Sequence, residues 1–149
     1  MITIKRTNSE DIAFQDLVRE LDIELKVIDG KEHVFYNQFN KTDNIKYVLV
    51  VYENNIPVGC GAIKEYAGES MEVKRMFVKP NKRGKGIASD LLKELEIWSS
   101  ELGYSKCILE TGKRQPDAVR LYEKNNYKQI PNYDPYKNVE NSVCFEKEL

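Results

Sequence analysis

Histidine is almost missing from this chain. His33 is the only one, so a multi-histidine zinc centre cannot be assembled, and a serine-histidine triad would have to use that single residue. Cysteine is scarce as well. Cys60, Cys107 and Cys144 are odd in number, lack C-x-x-C spacing and sit in apolar, strand-like segments, which suits reduced buried thiols better than disulfides or metal ligands. No apolar run approaches the ~18 residues of a spanning helix, and the opening Met1-Ile2-Thr3-Ile4-Lys5-Arg6 has no signal-peptide core. No membrane partner is therefore expected, and the cytoplasm is the expected location. An excess of one charge is absent too: 23 Lys and Arg against 24 Asp and Glu leave a net charge of −1, so the chain as a whole has no electrostatic reason to seek nucleic acid. Internal repeats and low-complexity tracts are also lacking.

What is present suits one globular unit. With 149 residues, 41% hydrophobic and 32% charged, the chain can bury a useful core and reads as a single domain over 1–149. Residues 2–7 alternate as a first strand; Ser9 then reads as the N-cap of a helix running to about Lys26 and broken by Asp29-Gly30. A short helix is expected from about Lys31 to Phe39, followed by a polar loop from Asn40 to Asn44. Tyr47 to Tyr52 and Val58 to Tyr66 are strand-like runs around Glu53-Asn54-Asn55, a hairpin signal.

The most informative stretch runs from Met71 to Leu102. It begins as a strand, with Met71, Val73, Arg75 and Phe77 on one face and Glu72, Lys74, Met76 and Val78 on the other. It ends as a helix, because Ile87, Leu91, Leu95, Trp98 and Leu102 recur on one buried face. Between them lies Lys82-Arg83-Gly84-Lys85-Gly86-Ile87-Ala88, whose glycines let a ligand approach the backbone. The first N–H groups of a helix lack partners within it and carry the positive end of its dipole, so strand, glycine loop and helix together form an anion site. Lys79, Lys82, Arg83 and Lys85 add positive charge around it. After the helix, Gly103 and a strand from Lys106 to Thr111 complete a β-α-β crossover, expected to be parallel and right-handed. Pro116 opens another helix ending at Asn125-Asn126, and strands follow at Tyr127 to Ile130 and Ser142 to Glu148. The fold class is α/β: a mixed sheet with helices on both faces.

Three phosphate-binding patterns compete for the loop. A Walker-type loop, G-x-x-x-x-G-K-S/T, fails because Ile87 follows the second glycine. A dinucleotide fingerprint would want a glycine or alanine where Ser89 stands, although Glu110 lies near the spacing of an acidic ribose ligand. The pattern Q/R-x-x-G-x-G/A is matched by Arg83, Gly86 and Ala88. In these residues, in the strand Glu72-Val73-Lys74-Arg75-Met76-Phe77-Val78 and in Leu121-Tyr122-Glu123-Lys124, the chain resembles the GCN5-related N-acetyltransferase (GNAT) family over roughly its last two thirds.

The resemblance implies an acyl-CoA N-acyltransferase fold with a mixed, mostly antiparallel central sheet flanked by helices, and transfer of an acetyl group from acetyl-CoA to a primary amine of a small molecule or peptide. No metal is implied, and a homodimer is compatible with it. By matching positions, Met76, Phe77 and Val78 would hold pantetheine in a gap between two splayed strands. Arg83, Gly84, Lys85, Gly86, Ile87 and Ala88 would hold the pyrophosphate, and Gln115 stands where the family often has a cofactor-contacting asparagine. Tyr122 would protonate the departing sulfur and Glu72 would take the amine proton, usually through water. The acceptor pocket would draw on Asp29, His33, Tyr36, Asn40, Tyr133 and Tyr136. Gln115 in place of asparagine, and Asn126 where a glycine is usual, depart from the family pattern. Two other readings remain open at this point: a non-catalytic CoA-binding or regulatory module of the same fold, and a dinucleotide-binding oxidoreductase.

Overall fold

Alternating apolar residues at both ends of the chain build the sheet on which everything else is mounted. In the computed structural model, which describes residues 1–32 and 44–149, seven strands lie in the order β1-β2-β3-β4-β5-β7-β6. They are β1 (Ile2–Thr7), β2 (Tyr47–Glu53), β3 (Ile56–Ala67), β4 (Ser70–Val78), β5 (Lys106–Gly112), β6 (Lys128–Ile130) and β7 (Ser142–Glu148). Three α-helices are described: α1 (Ile12–Asp29), α2 (Ile87–Glu101) and α3 (Pro116–Lys124). The helix expected from Lys31 to Phe39 falls outside the described residues, apart from a 3-10 turn at Gly30–Glu32. None of the described helices is long and apolar enough to cross a membrane. By its contacts the chain divides into two compact units, Met1–Lys64 with Val73–Leu95, and Glu65–Glu72 with Glu96–Leu149.

The first unit is built on the β1, β2 and β3 meander. β1 pairs antiparallel with β2, Ile2 opposite Glu53 and Thr7 opposite Val48. Asn54 and Asn55 both take positive φ, 50° and 69°, the conformation that a two-residue hairpin loop needs. A register shift at Val51/Tyr52 places Tyr52 opposite Pro57, a position where the missing proline N–H is tolerated. Phe14, Leu17, Val18 and Leu21 of α1 pack on Val48, Val50, Cys60, Ala62 and Phe77. Each such side chain contributes ~1.5–3 kcal/mol by leaving water. The other face of β3 carries Gly61, where an added Cβ would stand 2.6 Å from Met76 Sδ and 3.1 Å from Leu95 of α2.

Two sequence expectations change here. The N-cap of α1 is Asp11, not Ser9: its carboxylate accepts from the Phe14 N–H at 3.0 Å, while the Ser9 N–H is taken by the Ile45 carbonyl. The helix also runs past Lys26 to Asp29, closed by Gly30 at φ 55°, whose N–H returns to the Lys26 carbonyl. In β4 the regular alternation is interrupted at Arg75, which takes φ 58° in mid-strand, a left-handed conformation of the kind found at β-bulges.

In the second unit β5 runs parallel to the start of β4, with Ser70, Met71 and Glu72 opposite Lys106, Cys107 and Ile108. This is the parallel partner that the crossover required. β7 pairs antiparallel with β5 from Lys106↔Glu148 to Gly112↔Ser142, and β6 joins its far side. Pro116 sits in the first turn of α3, and Asn126 closes the turn after that helix at φ 71°. Asparagine is the non-glycine residue best suited to this conformation, which explains why it can stand where the family usually has glycine.

Candidate active site

In the first unit the phosphate loop takes the conformation that its glycines allow. β4 ends at Val78, a 3-10 turn spans Pro80–Lys82, and Gly84 and Gly86 follow at φ 79° and 85° before α2 starts at Ile87. No described heavy atom lies within 4 Å of where a Cβ at either glycine would stand. The Asp90 N–H closes the first turn on the Gly86 carbonyl at 3.0 Å, and the N–H groups of Ile87 and Ala88 belong to the first turn, where the helix's own ladder supplies no acceptor. The residues thus fit an anion held by main-chain donors at a helix N-terminus.

The basic side chains around the loop behave differently from the sequence expectation of added positive charge. Arg83 donates through Nε to the Val78 carbonyl at 2.8 Å and through Nη2 to both oxygens of Glu24, at 3.1 and 2.8 Å, with its guanidinium 5.6 Å from the Phe77 ring centroid. Lys82 binds Glu53 at 2.6 Å and Lys79 lies 3.7 Å from Glu20. The hydrogen bond from Lys82, aided by its charge, holds the Glu53 carboxyl below its ordinary range. Much of the local charge is therefore offset by acids from α1 and β2, while Lys85 stays exposed. Arg75 extends the pattern. Its buried guanidinium reaches Asp22 of α1 at 2.5 Å, and its carbonyl accepts from Cys60 Sγ at 3.4 Å.

Of the other residues expected here, Phe77 and Val78 are buried, with Phe77 in the core beneath α1. The Phe77 carbonyl lies 3.0 Å from where a Cβ at Gly59 would stand, so glycine allows this close approach. Ile87 is buried, and Met76 and Ala88 are half-buried. Asp29 is buried at the end of α1, whereas His33, Tyr36 and Asn40 lie outside the described residues.

In the second unit the candidate proton-transfer groups are both buried. Tyr122 of α3 packs edge-on to Tyr127, with ring centroids 5.9 Å apart, and against Phe145 at 6.1 Å. Burial first, and the Glu110 carboxylate second, push its hydroxyl well above the ordinary tyrosine range. No hydrogen bond joins that hydroxyl to a described residue. Glu72 accepts a hydrogen bond from the Tyr133 hydroxyl at 2.7 Å. Gln115 precedes α3 without a side-chain capping bond, and its Nε2 lies 3.5 Å from where a Cβ at Gly112 would stand; Asn141 Nδ2 would be 2.9 Å from the same point.

Tyr133 and Tyr136, expected in the acceptor pocket, belong to the loop between β6 and β7. Asn132 Nδ2 donates to the carbonyls of Tyr136, Val139 and Ser142 at 3.2, 3.3 and 3.1 Å, tying the loop to itself. Tyr66 donates to the Asp134 carbonyl at 2.9 Å and meets the Tyr133 ring edge-on at 5.0 Å. Asn132 and Tyr66 were not singled out from the sequence. The one available signal was a polar residue beside Pro131, which is common in any loop. Among the described residues no three His, Cys, Asp or Glu side chains come together as a metal-binding group.

Comparison with known proteins agrees with the fold. Residues 44–129 match the family model described as the acetyltransferase (GNAT) domain. The chain is 34% identical to the IAA acetyltransferase of Azospirillum brasilense, over 99% of this chain and 98% of that one. It superposes with a TM-score of 0.85 on a structure from Klebsiella pneumoniae whose acyl-CoA N-acyltransferase name is provisional, at 29% identity over 100% of this chain and 98% of that one. The PaiA N-acetyltransferase of Thermoplasma acidophilum, solved in complex with coenzyme A, shares the fold with a TM-score of 0.74 at 19% identity, over 100% and 99% of the two chains. The chain belongs to the GNAT family of acetyltransferases.

Proposed function

We propose that this chain, acting as one domain over residues 1–149, transfers the acetyl group of acetyl-CoA to a primary amine of a small molecule or peptide. The observation that carries the reading is the pair of left-handed glycines, Gly84 and Gly86, leading into α2 in a chain of this family. Main-chain donors from Gly84 to Ala88 would hold the pyrophosphate, and the backbone of Met76, Phe77 and Val78 would meet the pantetheine amides. Arg83 fixes the loop through Val78 and Glu24. Gln115 is a further candidate contact.

In the reaction the amine lone pair forms a C–N bond to the thioester carbonyl carbon and the C–S bond breaks. One proton leaves the amine nitrogen and one is taken up by the thiolate. Tyr122 is assigned as the acid, because it stands at the position the family resemblance gives that role, is protonated at neutral pH and makes no hydrogen bond to a described residue that would have to break first. Glu72 is assigned as the base, directly or through water. Asp29 and Tyr136, with His33, Tyr36 and Asn40, remain the candidate lining of the acceptor pocket.

Calorimetry with acetyl-CoA, NAD and ATP tests the cofactor, and binding of acetyl-CoA alone is expected. Release of CoA thiol is then followed with spermidine, kanamycin and a lysine-containing peptide, and at least one should accelerate it well above hydrolysis. Binding of NAD without acetyl-CoA would favour an oxidoreductase. Acetyl-CoA binding with no acceleration by any amine would favour a non-catalytic module.

A further inference from the structure

We propose that Tyr133 is a positioning residue for Glu72, holding its carboxylate in the orientation that receives the amine proton; this rests on the reading of Glu72 as the base. The bond is short, 2.7 Å from the Tyr133 hydroxyl to Glu72 Oε2. With one oxygen held, the swing of the carboxylate is restrained. Charge-assisted bonds of this type are the strong ones. The donor is itself supported. Tyr66 packs on the Tyr133 ring and binds the next residue's carbonyl, Tyr136 meets the ring edge-on at 5.9 Å, and the Asn132 amide gathers three carbonyls of the same loop. This is far more structure than a residue lining a pocket requires, and it commits the hydroxyl to Glu72 rather than to an acceptor.

Tyr133, Tyr66 and Cys144 are among the titratable groups that face Glu72. All three are held above their ordinary ranges, chiefly by burial, and are neutral at neutral pH. The Tyr133 hydroxyl therefore stays the donor of the bond to Glu72. In the transfer, the amine proton goes to Glu72 and Tyr133 keeps its own.

The test uses the full chain, acetyl-CoA and the fastest amine among spermidine, kanamycin and the lysine peptide, with the same amine for every variant. Tyr133→Phe should lower kcat/KM about ten-fold or more, the loss expected for one hydrogen bond to a charged group. Losing this donor should displace the acidic limb of the kcat/KM profile toward higher pH. The KM for acetyl-CoA should stay unchanged. Combined with Glu72→Gln, Tyr133→Phe should add little further loss, because both changes act through one carboxylate. Tyr66→Phe, which frees the loop but leaves Tyr133 intact, should give a smaller shift in the same direction, and it serves if Tyr133→Phe does not fold. An unmoved limb in Tyr133→Phe, with Glu72→Gln strongly impaired, would overturn the proposal and leave the base assignment standing. A raised amine KM with an unmoved limb would make Tyr133 an acceptor contact and would also overturn it. Full activity in Glu72→Gln would remove the base assignment, and this proposal with it.

Discussion

Tyr122 is protonated at neutral pH and no described residue competes for its hydroxyl, while its burial raises its pKa and so works against proton donation unless the departing sulfur is close by. Tyr122→Phe removes only that oxygen and keeps the ring packed against Tyr127 and Phe145. A fall in kcat of roughly 10²–10⁴ is expected, with acetyl-CoA affinity by calorimetry unchanged. An undiminished kcat would mean that the thiolate leaves without help. Arg75 bears a different burden, with a left-handed φ and a buried guanidinium whose Nε has no hydrogen-bond partner among the described residues. Asp22→Asn leaves that charge without its carboxylate and should cost about 1–3 kcal/mol of stability, read from the urea midpoint.

The loop between β4 and α2 is where backbone shape and side-chain charge can be separated. Ala at Gly86 meets no described atom, but it must hold φ 85°, which costs about 1–2 kcal/mol for a residue with a Cβ. A Gly86→Ala protein should therefore unfold slightly earlier in urea and lose much more acetyl-CoA affinity than that strain accounts for, because the new methyl would meet the ligand. An affinity loss no larger than the stability loss would place the pyrophosphate elsewhere. Arg83→Ala should weaken acetyl-CoA binding about ten- to hundred-fold. Glu24→Gln, which keeps the arginine and its bond to Val78 but removes the carboxylate, should show a milder form of the same loss. This element was legible in the sequence because glycine spacing and helical periodicity are local signals. So was the parallel partner, since a helix between two strands leaves few topologies. What could not be read are the contacts made across long sequence separations. The acids of α1 that hold Arg75, Lys79 and Arg83 look like a solvated helix face until the fold brings them to β4 and the loop, and the bond from Tyr133 to Glu72 spans 61 residues. Ser9 is a sound cap by type, but Asp11, two residues on, is one too and accepts from the Phe14 N–H, and no local rule chooses between them. The left-handed Arg75 leaves no mark at all in a run that alternates like any strand.

Across the whole molecule the buried acids of high intrinsic pKa make alkaline stability a measurable property. Burial raises Tyr122, Tyr127 and Tyr133, and it pushes Cys60 up to about 12 and Cys144 up to about 11. The unfolded chain releases these protons first, thiols from about pH 8.5 and phenols from about pH 10. Between the unfolded and the folded values it binds fewer protons than the native state, so stability is full below that window and falls as pH rises. Each group contributes about 1.4 kcal/mol per pH unit within its window, so the urea midpoint should drop clearly between pH 8 and pH 11. An unchanged midpoint would mean that these groups are better hydrated than their burial implies. The same three cysteines have a consequence for a protein that works beside a free thiol. Every turnover of the proposed reaction liberates CoA-SH, which under oxidising conditions would form a mixed disulfide with any reachable protein cysteine. Cys60, Cys107 and Cys144 are buried and their pKa values are raised, so the nucleophilic thiolate is rare at each of them. The native protein should thus stay unmodified in oxidised CoA, and a colorimetric thiol reagent should report the product alone.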